Sequence, residues 1–114
     1  MKKTNILVIA RNTEIRETIV RLINNNPLWQ ATGTGDDDDA IASFQHHAYD
    51  LAILGGGISP ESELKLRRIF SILDPSVKVI QHWGGGSGLL SNEIIAALED
   101  NKSGNFYIKD DLFG

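Results

Sequence analysis

The chain has 114 residues, 41% of them apolar and 23% charged, with a net charge of −4 and no cysteine. That length supports one hydrophobic core and one domain, residues 1–114, and the composition excludes disorder, disulfides and thiolate metal sites. The acidic balance argues against nucleic-acid binding by this domain alone, and no apolar run approaches the ~20 residues needed to cross a bilayer. Asn5 to Ala10 is too short and too strand-like for a signal-peptide core, so a cytoplasmic location is expected. Ile6 to Ile9 is a continuous apolar run suited to a strand buried on both faces of a parallel sheet. Asn12 or Thr13 can cap a following helix, with Ile15, Ile19, Leu22 and Ile23 on one face, and Asn24-Asn-Asn-Pro27 ends it. Leu28 to Thr32 reads as a second, weaker strand.

Gly33 and Gly35 introduce a turn, and Asp36 to Asp39 open a second helix carrying Ala40, Ile41 and Phe44 inward. Asp50 to Leu54 is the strongest strand pattern. Ser59, Pro60, Glu61 and Glu63 make a helix start of cap, first-turn proline and acids at the positive dipole end. Leu66, Ile69, Phe70 and Leu73 then face the core. Val77 to Gln81 is a fourth strand, Gly84 to Gly88 a loop, and Ser91 a cap for a fourth helix with Ile94, Ile95 and Leu98 inward. Asn105 to Lys109 has the pattern of a fifth strand. This alternation predicts an α/β, doubly wound, five-stranded parallel sheet covered by helices on both faces.

Five segments in this order resemble response-regulator receiver domains: NILVIARNTEIRETIVRLI, TGDDDDAIASF, YDLAIL, DPSVKVIQHW and NFYIKD. The resemblance covers nearly the whole chain and implies flavodoxin-like receiver topology. It also implies a phosphorylation site, and there this chain departs from the pattern. Ala10 and Arg11 stand where the family has the acidic pair that holds Mg²⁺, and Gly55 stands where it has the phosphoacceptor aspartate. Trp83, give or take one position, replaces the Thr or Ser that reads the phosphoryl group. Lys109 alone matches, and Asp110 follows it in place of the usual proline. Hard divalent cations need oxygen ligands, so phosphotransfer to this chain is not expected. No cofactor and no metal are expected, and no arrangement of nucleophile and base suggests an enzyme.

Two functional readings follow. The first is a degenerate receiver acting as a phosphorylation-independent signalling module through protein contacts. Only Asp110 to Gly114 follow the predicted fifth strand, so the fifth helix of a receiver is missing or truncated. The sheet face beside the first helix would then lack its cover, and a second copy or another protein would supply it. Leu112 and Phe113 folding back, or a longer natural chain, are the bland alternatives. The second reading is a sensor of a small anion or nucleotide-like group, held by Arg11, Lys109 and the glycine loops at Gly56, Gly57, Gly84 and Gly85. Against it stands the plainer role of those glycines in tight turns, with Arg11 in solvent or paired to a carboxylate of Asp36–Asp39. Asp36 to Asp39 lack the spacing of a calcium loop, and adjacent His46 and His47 do not share a helix face. His82 and Trp83 are placed at the functional edge of the fourth strand.

Overall fold

The computed structural model describes residues 2–82 and 87–108, and of Ser87 and 100–108 it describes the backbone alone. Eight elements alternate along the chain: β1 (Thr4–Ile9), α1 (Thr13–Asn24), β2 (Trp29–Thr34), α2 (Asp37–His46), β3 (Leu51–Leu54), α3 (Pro60–Leu73), β4 (Lys78–Gln81) and α4 (Ser87–Ile108). The helices begin where side chains can satisfy their free N–H groups. Asn12, Asp36 and Ser59 each accept from the backbone N–H three residues on, and Pro60 occupies the first turn of α3.

The sheet is parallel throughout, in the order β2-β1-β3-β4. Alternation along β1 and β3 divides the core in two. Ile6, Val8, Leu51 and Ile53 face α1 through Ile19 and Ile23. Leu7, Ile9, Ala52 and Leu54 face α2 and α3 through Ala40, Phe44, Leu66 and Phe70, with the Phe44 and Phe70 rings stacked at 4.3 Å between centroids. Every side chain from Ile6 to Ala10 and from Leu51 to Leu54 is fully buried, as central strands of a doubly wound sheet require.

Several expectations change. Among the described residues the sheet has four strands: Asn105 to Ile108, expected as a fifth, continue α4, and Lys109 lies outside the described residues. Between Ser87 and Ile108 there is no proline, and Gly88 and Gly104 each cost only about 1 kcal/mol in a helix that otherwise gains one hydrogen bond per residue. The helix also starts at Ser87 rather than after Ser91, which takes Ser87 and Gly88 out of the expected loop.

The third change bears on function. Leu90, Ile94 and Ala97, spaced i, i+4, i+7, are buried in the same cluster as Ile19 and Ile23 of α1. The last helix thus covers the α1 face, where a receiver's fifth helix would lie. The bare apolar face expected from the sequence is absent, and with it the reason to place a partner there. Ile15, Leu73 and Ile95, expected inward, are instead exposed, because each lies at the margin of its helix's buried stripe. No helix among the described residues is long and apolar enough to cross a membrane.

Candidate functional site

In open α/β sheets the crevice lies beyond the carboxyl ends of the strands, where the strand order reverses. Here β1 has β2 on one side and β3 on the other, so the ends of β1 and β3 flank that crevice. Ala10 leaves β1 fully buried. Its N–H donates to Thr34 O at 3.2 Å, and its carbonyl accepts from Arg16 Nη1 at 2.8 Å. Gly55 leaves β3 with its N–H on Ile9 O at 2.7 Å. A Cβ on Gly55 would stand 2.9 Å from the Ala10 Cβ and 3.6 Å from Ile19 Cδ1. The position that carries an acceptor carboxylate in receivers is therefore closed from its first side-chain atom onward.

Arg11 fills the space beyond. Its N–H donates to Gly56 O at 3.2 Å, and its guanidinium reaches Gly35 O at 3.1 Å, Asp37 Oδ1 at 2.7 Å and Ser62 Oγ at 3.1 Å. Gly57 makes room for it. With φ at +86° it lies in the left-handed region that side chains avoid, and a Cβ there would sit 2.9 Å from both Cβ and Cγ of Arg11.

Asp37, in the first turn of α2, is the hub of this network, with 12% of its side chain exposed. Ser62 Oγ donates to Asp37 Oδ2 at 2.7 Å, and Lys65 Nζ lies 3.0 Å from the same oxygen. Burial by itself would raise the Asp37 carboxyl. The hydrogen bonds from Arg11, Ser62 and Lys65, together with the Arg11 charge, outweigh burial and bring it from 3.8 down to about 2. Three separate elements, β1, α2 and α3, are thereby tied together at the sheet edge.

Receiver chemistry depends on a divalent cation, and these residues do not fit one. The three positions that the resemblance matches to the metal and acceptor site offer a methyl, a guanidinium and a glycine. Asp37, the carboxylate at the centre of the crevice network, already has two cationic side chains and a hydroxyl on its oxygens. Of the residues singled out for anion binding, Arg11 is directed to Asp37, Gly56 accepts from the Arg11 backbone, and Gly57 packs on the Arg11 side chain. Trp83, Gly84, Gly85 and Lys109 lie outside the described residues.

His82 is buried at the end of β4, with its N–H on Leu54 O at 3.0 Å and Nδ1 against Glu93 Oε1 of α4. It fastens the last helix to the last strand. His46 and His47 are exposed and turn to separate partners: His46 Nδ1 lies 2.7 Å from Ala42 O, and His47 meets Tyr49 edge-on. Sequence reasoning missed Ser62 and Lys65. Both stand in the first two turns of α3, three residues apart and hence on one helix flank, and α3 starts at the same sheet edge as Arg11.

No family model matches the chain, and no curated protein matches it either. Solved structures do. The receiver domain of the hybrid histidine kinase CckA matches with a TM-score of 0.61 and 17% identity, over 82% of this chain and 98% of that one. The signal receiver domain of an HD domain-containing protein from Pseudomonas fluorescens Pf-5 matches with a TM-score of 0.61 and 15% identity, over 94% and 95%. A putative pilus assembly protein (cpaE) from Burkholderia thailandensis E264 matches with a TM-score of 0.58 and 20% identity, over 83% and 80%. The chain has the flavodoxin-like fold of response-regulator receiver domains.

Proposed function

We propose that this chain is a signalling module that keeps the receiver scaffold but works through protein contacts, without phosphorylation. One observation carries the reading. At the crevice where receivers hold a metal and an acceptor aspartate, Gly55 is closed against Ala10 and the remaining space is taken by Arg11 bound to Asp37. A positive side chain here replaces the ion that would bring a phosphoryl donor to a carboxylate. The domain is therefore held in one arrangement by its own ion pair.

With no chemistry assigned to the edge, recognition of other proteins is the role left to the fold, and a second copy of the chain is among the partners it would take. That solved structures of this fold include a putative pilus assembly protein supports a setting in which such a domain serves assembly. The test is intact mass after incubation with acetyl phosphate and Mg²⁺. The mass is expected to stay unchanged; a stable adduct of one phosphoryl group on an aspartate would overturn the reading.

A further inference from the structure

The covering of the α1 face by α4 leaves a different part of the molecule open. β4 pairs with β3 along one side, and among the described residues no strand pairs with its other side. His82 N–H points back to Leu54 of β3, whereas Val79 O points outward and accepts from Arg67 Nη1 at 2.9 Å. Alternation then turns the N–H and C=O of Val79 and Gln81 to the outer side, and those of Lys78 and Ile80 to β3. Beside that edge runs a groove of about 660 Å³ between β4 and α4, lined by Lys78 to Gln81, Glu93, Ala96 and Ala97.

We propose that this groove is the contact surface for a second copy of this chain, joined β4 to β4, antiparallel, about a two-fold axis through Ile80. This inference rests on the protein-contact reading above and names its surface and partner. Three features of the edge make it self-complementary. With the axis at residue 80, Val79 faces Gln81 of the second copy, so each pair exchanges two backbone hydrogen bonds. Val79 O keeps its bond from Arg67, since a carbonyl oxygen accepts two.

The helical layers continue as well. α4 lies against β4, so pairing β4 to β4 brings the second α4 alongside the first. Such an approach needs small side chains, and Ala96 and Ala97 line α4 at this place. Finally, a single foreign strand in the groove would leave its own far edge unpaired, whereas a second copy closes both edges at once.

The full chain is to be weighed by light scattering across a wide concentration range, with far-UV circular dichroism on every variant. The expected result is a mass that rises from 12.5 kDa toward twice that value. Val79→Pro removes an outward N–H without touching the β3 ladder, and Ala96→Arg fills the helix contact; each is expected to weaken the dimer about tenfold or more with the spectrum unchanged. Ile80→Cys, in a chain with no native cysteine, is expected to cross-link under mild oxidation. Its Cα lies about 4.5 Å from its mate in a non-hydrogen-bonded pair, within disulfide range. A monomer at all concentrations overturns the proposal. So does a dimer that Val79→Pro and Ala96→Arg leave intact, but that outcome keeps the protein-contact reading and moves it to another surface. A phosphoryl adduct, by contrast, would remove the phosphorylation-independent reading and leave an edge-paired dimer standing.

Discussion

Asp37→Asn keeps the shape at the centre of the crevice network and removes its charge. In the native chain Asp37 is largely buried, and Arg11, Ser62 and Lys65 hold its carboxyl at about 2 instead of 3.8. That difference corresponds to roughly 2 kcal/mol of stability at neutral pH. Half of Lys65 is in solvent, so most of the effect belongs to Arg11 and Ser62. For a domain of this size the loss translates into a fall in Tm of roughly 8 °C. A carboxyl lowered on folding stabilises above its unfolded value and loses that contribution as pH falls through its folded value. The gap between wild type and Asp37→Asn is therefore expected in full at pH 7, shrinking below about pH 4 and nearly gone at pH 2. Urea unfolding of both proteins at several pH values measures it. A variant as stable as wild type at pH 7, or a gap that persists undiminished at pH 2, would refute the account of this network.

Gly55→Asp does not restore phosphorylation: its Cβ meets Ala10, its carboxylate enters a dry site, and the chain is expected to lose about 3 kcal/mol or more, read by urea titration, with no mass adduct. Gly57→Ala is expected to cost about 1–3 kcal/mol in the same assay, from the left-handed φ and from contact with Arg11. His82→Ala removes the buried tie between β4 and α4, and is expected to cost about 1–3 kcal/mol and to lower amide protection from Leu90 to Ala97 more than in α2, by hydrogen exchange.

Local signals in the sequence were strong where the physics is local. Asn12, Asp36 and Ser59 act at helix starts within three residues of themselves, and the runs at Ile6–Ile9 and Leu51–Leu54 can only be double-faced strands. The reading failed where the answer depends on which face an element chooses. Leu90, Ile94 and Ala97 state that α4 has one apolar stripe, and nothing in that periodicity says which side of the sheet receives it. Asn105 to Ile108 show the same limit: Phe, Tyr and Ile favour a strand, yet a helix already under way extends through them. At the crevice, the sequence has Ala10, Arg11 and Gly55 at the positions that the receiver resemblance assigns to acidic residues. That Arg11 would settle on Asp37, among four consecutive aspartates, required knowing that the first turn of α2 and Ser62 of α3 meet at its guanidinium.

The crevice network and the β4 edge belong together. Here a guanidinium and a carboxylate already satisfy each other across β1 and α2, and Ser62 and Lys65 bring in α3. A ligand with no better interaction in a second arrangement has no equilibrium to shift. On the reading proposed above, regulation acts on association, and among the described residues no strand pairs with the outer side of β4. Arg67 bears on how strongly. It is held by Glu63 at 2.9 Å and occupies one lone pair of Val79 O, so the edge is partly guarded. Arg67→Met, which keeps the stem but not the guanidinium, removes that guard and frees Val79 O for the second strand. If the β4 edge is the contact, this variant should dimerise at least as tightly as wild type at equal concentration. Weaker association would mean that Arg67 itself bridges the copies, with Glu63 of the opposite chain as its new acceptor.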